Sequence, residues 1–206
     1  ETKEKKFFRI FKTSKFLDEA FKTDLEQIIN LYNEKGYRDA QIVLEDVHDI
    51  SSNLIDINIT IEEGIKYHFR NIDWLGNTKY NSEYLDLMLG IKSGDVYDEK
   101  MMGDRLQMSM SGTDITSLYM DDGYLFFNID PVEILVEEDS IDYEIRIYEG
   151  KQATINKVSV VGNTKTNDHV IMREIRTKPG ELFSRSDIIR SQEELNRLNY
   201  FNPQTL

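Results

Sequence analysis

Cysteine is missing from all 206 residues. That excludes disulfides, thiol nucleophiles and cysteine-ligated zinc, and it leaves the redox compartment open. Histidine is scarce: His48, His68 and His169 lie far apart, with no partner at HxxxH or HxxE spacing. Each therefore reads as a surface or strand residue rather than a ligand. No apolar run approaches the ~20 residues of a membrane-spanning helix. The sequence opens on Glu1 without an apolar leader, so the expectation is an excised or processed fragment, which says nothing of where its parent resides. Basic charge is also short. Lys and Arg number 25 against 38 Asp and Glu, a net charge of −13, and such a chain repels phosphate backbones, which argues against nucleic-acid binding. No nucleophile, base and orienting group assemble. The acidic pairs Asp121-Asp122 and Glu137-Glu138-Asp139 lack the alternating oxygen ligands of a calcium loop. The expectation is a non-enzyme, with no catalytic residue, metal ligand or cofactor.

What the chain has instead is a repeat. Ile61-Glu62-Glu63-Gly64 to Gly76-Asn77-Thr78-Lys79 returns as Ile147-Tyr148-Glu149-Gly150 to Gly162-Asn163-Thr164-Lys165, 86 residues later. Ser93-Gly94-Asp95 and Pro179-Gly180-Glu181 keep the same offset. A spacing held at three points marks tandem structural units, here 1–66, 67–150 and 151–206. Charge is unevenly shared among them. Residues 1–66 hold 10 basic and 14 acidic side chains, 67–150 hold 6 and 18, and 151–206 hold 9 and 6. The change of sign suggests different neighbours at the two ends, although a solvated surface explains most such asymmetries.

Residues 1–22 are basic and aromatic, including Phe7, Phe8, Phe11 and Phe16. They read as a loop whose rings pack on the next helix, ahead of a membrane-surface segment. Thr23-Asp24-Leu25-Glu26 has the pattern of a capping box. Leu25, Ile28, Ile29 and Tyr32 then follow at helical spacing, and Gly36 stops the helix. Two strands are expected next, Ala40–Asp46 and the alternating Leu54–Ile61, joined by a polar turn at Asp49–Asn53. The middle unit reads as a strand 69–75, a helix 82–89 ended by Gly90, and a helical region 99–120 broken near Ser109–Gly112. Strands 124–136 and 141–148 close it. Six of the seven Met fall between Met88 and Met120, read as core filling ahead of a soft partner face. In the last unit 155–161 reads as a strand, Thr166 as the cap of a helix reaching Ile175, and Ser184 with Asp187 as the cap of a second. That second helix carries Ile188, Leu195 and Leu198 and ends at Tyr200-Phe201.

The β-α-α-β-β order, the Gly-Asn turn after strand one, the Gly-Tyr after helix two and the Glu-Gly exit from strand three resemble POTRA domains. The last unit is the most specific. Val161-Gly162-Asn163-Thr164, Val170 to Ile175, Gly180-Glu181 and Leu195-Asn196-Arg197-Leu198-Asn199-Tyr200-Phe201 are similar to the POTRA that adjoins the barrel in BamA-type outer-membrane assembly factors. Tyr119 to Phe127 in the acidic middle unit is similar to the Bacteroidetes type. Asn199 departs from the pattern, which has Gly there. The resemblance covers essentially the whole chain and implies a partial third, a whole fourth and a partial fifth domain of a five-domain arm. The implied fold class is α+β, each repeat laying two helices on one face of a mixed three-stranded sheet.

That resemblance also implies function. It points to the periplasmic arm of an outer-membrane protein, continuous with a C-terminal membrane β-barrel of the same parent, taking unfolded barrel precursors and docking a BamD-like lipoprotein. The second strand of each repeat is an edge in this family pattern, which places candidate protein-binding positions at Gln41, Ile42, Val43 and Leu44, and at Leu125, Phe126, Phe127, Asn128 and Ile129. Unpaired backbone groups on such edges accept an incoming extended chain with little demand on its sequence. Asp130 with Pro131 argues for partial protection of the second edge. Arg173, Glu174 and Arg176, expected on the first helix of the last unit, are the implied lipoprotein contact. The alternatives are the POTRA region of a two-partner secretion or TamA-like translocation transporter, and a passive structural spacer. The short joints at 64–66 and 150–152 lead to an expectation of limited hinge motion.

Overall fold

A computed structural model describes residues 16–51, 54–107, 109, 112–163, 165–198 and 200. The N-terminal phenylalanines Phe7, Phe8 and Phe11, together with Met108, Met110, Thr164, Asn199 and Phe201, lie outside the described residues. Within this range six helices and five strands are described.

The first stretch folds as α1 (Asp18–Asn33), β1 (Gln41–Ser51) and β2 (Leu54–Glu62). α1 begins five residues before the expected capping box. Thr23 lies inside the helix, where its hydroxyl donates back to Glu19 O at 3.1 Å, a local bond that competes with capping. Phe21 and Leu25 explain the earlier start, since one turn apart they share the buried face. Phe16 adds a ring contact to Phe21 at 5.3 Å. The helix stops as its glycine requires: Gly36 has φ of 95°, and Tyr37 N–H returns to Tyr32 O. β1 and β2 pair antiparallel, with register shifts between Ile42 and Leu44 and between Asp49 and Ser51. β1 therefore runs through the residues expected to start a turn.

The middle stretch is β3 (His68–Leu75), α2 (Ser82–Leu89), α3 (Glu99–Leu106), α4 (Ile115–Asp121), β4 (Asn128–Glu137) and β5 (Ser140–Tyr148). Its sheet has the order β3-β5-β4, so β5 is central and β4 is an edge. Asn81 caps α2 through the Tyr84 N–H, and Gly90 ends it. β4 starts four residues later than expected. Leu125 N–H donates to Gly123 O and Phe127 N–H to Tyr124 O, so Leu125, Phe126 and Phe127 form a turn rather than an edge strand. Phe127 is held there by stacking on Tyr119, with centroids 4.2 Å apart.

The last stretch contributes α5 (Asp168–Met172) and α6 (Arg185–Arg197). Residues 155–161 form no strand; what remains is one bridge, Thr154 to Leu182. Among the described residues no strand pairs along 155–161, whereas β3 has β5 beside it. α5 is also shorter than expected. Asn167 rather than Thr166 is its N-cap residue, without a side-chain bond, and Arg173 is already its C-cap. Ser184 caps α6 as expected, accepting from Asp187 N–H. Ile188 turns outward there, 45% exposed, while Leu195 is buried.

By packing, the chain divides into two compact units. One comprises Glu1–Asn71, Lys92–Met101 and Leu135–Asp142, the other Ile72–Ile91, Met102–Ile134 and Tyr143–Leu206. Phe21, Leu25, Tyr67, Phe69 and Tyr97 are the buried mass of the first. Leu85, Leu89, Leu106, Ile115, Tyr119 and Ile145 serve the second, each essentially inaccessible and each stabilising by roughly 1.5–3 kcal/mol on burial.

The sequence period is also a period of hydrogen bonds. Phe69 N–H donates to Asp95 O, Gly94 N–H to Phe69 O and Tyr97 N–H to Tyr67 O. Eighty-six residues on, Ile155 N–H donates to Glu181 O, Gly180 N–H to Ile155 O and Phe183 N–H to Ala153 O. The helix stop recurs as well: Tyr124 N–H returns to Tyr119 O, and Gly123 has φ of 90°.

Candidate protein-binding edges

Among the described residues β1 pairs with β2 along one side only. Of the expected positions, Gln41, Ile42, Val43 and Leu44 all lie on it. Ile42 is half-buried, whereas Val43 and Leu44 are 51% and 56% exposed. Val43 sits at the register shift, where an extra residue leaves its backbone out of the ladder. Gln41 Nε2 donates to Glu62 Oε2 across the pair at 3.2 Å. Val47 and Ile50 continue the exposed apolar character toward the hairpin end.

β4 differs along its length. Asn128 is exposed at its start and Ile129 is buried in the core. Gln107 Nε2 donates to Ile129 O at 2.7 Å, which occupies one of the carbonyls that an edge would offer. Further on, Ile134, Leu135 and Val136 are about half exposed, on both faces of the strand. None of these three was among the expected edge positions, although the run Val132 to Val136 breaks alternation and carries that signal. Pro131 sits within the strand and removes one donor.

Two polar anchors position these strands. Arg70 of β3 makes a two-pronged contact with Asp142 of β5, Nε and Nη2 each 2.8 Å from a carboxylate oxygen, and its Nη1 reaches Glu137 at 2.8 Å. The guanidinium hydrogen bonds hold the Asp142 carboxyl below its ordinary range, against burial that opposes them. The second anchor is Glu149. It accepts from Thr78 N–H at 2.7 Å, Lys79 N–H at 2.8 Å and Tyr119 Oη at 3.1 Å, and from the Thr78 hydroxyl. Burial pushes its pKa up, yet these donors together bring it below the ordinary value. Burial likewise raises the Tyr80 phenol to about 12, helped by Asp122. Asp122 pairs with Lys79 at 2.7 Å and accepts from Tyr80.

Arg173, Glu174 and Arg176 do not lie on a helix. They follow α5, and the Arg173 Nε–Glu174 Oε1 pair closes at 2.6 Å. Arg176 N–H donates to Ser191 Oγ, and its guanidinium lies 3.6 Å from Glu194. The three are thus near one another, with Arg173 and Arg176 open to solvent and Glu174 partly covered. His48 and His68 each face an aspartate, Asp46 at 2.9 Å and Asp139 at 3.7 Å, and among the described residues no group of three or more His, Asp or Glu could hold a metal ion. Among the described residues no helix is long and apolar enough to cross a membrane.

A model of the POTRA family, described as a surface antigen variable number repeat, matches residues 3–64, 67–150 and 153–205. The chain belongs to the POTRA family. Among curated relatives, the outer membrane protein assembly factor BamA of Nitratidesulfovibrio vulgaris is 30% identical over 189 residues, covering 90% of this chain and 23% of the relative. BamA of Neisseria meningitidis is 26% identical over 194 residues, covering 93% and 24%. This POTRA chain therefore spans about a quarter of the length of the curated relatives it matches. The crystal structure of Haemophilus influenzae BamA POTRA3-5 superposes with a TM-score of 0.67 at 21% identity, over 92% of this chain and 74% of that one. At that identity the likeness establishes the POTRA fold alone.

Proposed function

We propose that the chain is part of the periplasmic arm of a BamA-type outer-membrane assembly factor. In this reading its units are three POTRA repeats, 1–66, 67–150 and 151–206, and its parent continues into a membrane β-barrel. Unfolded barrel precursors bind along β1 and β4, adding an extended segment by main-chain hydrogen bonds. The observation that carries this is the exposed backbone edge of β1, with Val43 bulged out of its ladder and Leu44 beside it. Such an edge reads no particular sequence, which suits a client class that shares strand propensity and little else. Arg173, Glu174 and Arg176 are the contact for an accessory lipoprotein of BamD type. Their polar surface, one carboxylate between two arginines, suits a specific docking contact more than a sticky one. No chemistry is assigned to the chain; it holds and passes on its clients.

The test is capture of a denatured barrel precursor by the parent protein. Val43→Lys with Val47→Lys places charge beside the β1 edge, as natural edges do to repel further strands. Capture should fall several-fold while the melting temperature holds. Unchanged capture would remove β1 from the reading. Recovery of one secreted exoprotein in place of barrel precursors would assign the chain to a secretion transporter.

A further inference from the structure

Arg185, the first residue of α6, reaches two polar side chains at the start of α4. Its Nη1 donates to Ser117 Oγ and lies 4.0 Å from Asp114 Oδ2. Asp114 is 1% exposed and also accepts from the Ser117 N–H and hydroxyl, at 2.8 and 2.7 Å. An arginine thus fills a polar socket between α4 and α6.

The repeat supplies a second copy of that socket. The helix stops at Tyr32–Tyr37 and Tyr119–Tyr124 carry the same backbone bonds, and so do the turns at Lys92–Asp95 and Lys178–Glu181. On this register Gln27 corresponds to Asp114, Asn30 to Ser117 and Glu34 to Asp121. Glu99, the first residue of α3, corresponds to Arg185. The arginine is therefore replaced by a residue of opposite charge. What stands there is a cavity of about 600 Å³ whose walls include Gln27, Asn30, Asn33 and Glu99, with Glu34 and Lys100. Glu34 and Lys100 neutralise each other at 2.6 Å. The side chains of Gln27, Asn30 and Glu99 have no hydrogen bond or ion pair among the described residues. Asn33 Oδ1 is fully buried and accepts nothing, a state that buried acceptors rarely keep.

We propose that this cavity receives an arginine side chain from a partner protein, in the place that Arg185 takes one period later. The chemistry selects the guise. One carboxylate beside the amide oxygens of Gln27 and Asn30 matches the five fixed donors of a guanidinium better than the compact charge of an ammonium. An incoming arginine would pair Glu99 and give the amide oxygens of Gln27 and Asn30 a donor. The proposal concerns a site apart from the strand edges and does not rest on client binding there.

The probe is N-acetyl-arginine amide, titrated into the isotope-labelled chain and followed by backbone amide shifts. Saturable shifts confined to Asn30, Leu31, Asn33 and Glu99 are expected, with none from the citrulline analogue, which keeps the shape and loses the charge. Glu99→Gln should weaken the response several-fold. Glu99→Arg should abolish it by supplying the side chain from within, as Arg185 does. Absent or unsaturable shifts would overturn the proposal, as would equal shifts with citrulline or a response indifferent to both Glu99 variants.

Discussion

Glu149 gathers four donors from Thr78, Lys79 and Tyr119 onto one carboxylate. Its folded pKa lies below the ordinary value of 4.5. The stability it contributes is thus fully present above that value and is lost as pH falls through the lower folded pKa. Glu149→Ala should cost about 1–2 kcal/mol at pH 7, the low end for bonds to a charged group because the site is partly open to water. Urea unfolding at pH 7 and again below pH 4.5 checks this: the gap between parent and variant should narrow in acid. A constant gap would show that the carboxylate charge plays no part. Gly76 is a second residue-scale test. With φ of 92°, an added Cβ there would sit 2.2 Å from Ile147 O. Backbone cannot yield that far, so Gly76→Ala should destabilise by about 2 kcal/mol or more, read from the same unfolding curves. The Gly-Asn turn was legible as a repeat marker, and this clash gives the physical reason for its glycine. Glu149 was not legible as an anchor, because its donors sit 30 to 71 residues away in sequence.

Among elements, those whose signals are local were readable. α2 with its Gly90 end and α6 with its Ser184 cap formed where propensity and capping placed them. Ser184→Ala should lower stability by about 1 kcal/mol, and a thermal melt within error of the parent would contradict the capping role. Elements that depend on distant partners were misread. The capping pattern at Thr23 lost to the burial of Phe21 one turn ahead of Leu25. Residues 155–161 have strand-like alternation but no ladder to join. Leu125 and Phe126 have strand propensity, yet Phe127 stacking on Tyr119 sets a turn before β4. In the proposed reading the open part of the β4 edge includes Ile134, Leu135 and Val136, while residues 125–127 precede the strand. Ile134→Lys should reduce precursor capture without lowering the melting temperature, since this side chain is half exposed. A matched loss of stability and capture would instead indicate that the strand itself had been damaged.

For the molecule as a whole, the net charge of −13 coexists with a basic stretch, residues 151–206, of 9 basic and 6 acidic side chains. Glu174 stands out there as a carboxylate flanked by Arg173 and Arg176. Glu174→Lys in the parent protein should sharply reduce recovery of an accessory lipoprotein while leaving precursor capture through β1 intact. If both fall together, the two contacts are not separate. The central claim is that clients run along strand edges. Its most direct measurement places a photo-activated cross-linking residue at Val43, Leu44 or Ile134 of the parent protein in a cell envelope, with Leu87, 78% exposed on α2, as the control. The account predicts adducts with labelled barrel precursor from the β1 and β4 positions and background levels from Leu87. Yields at the edges no higher than at Leu87, while the precursor still assembles, would contradict it.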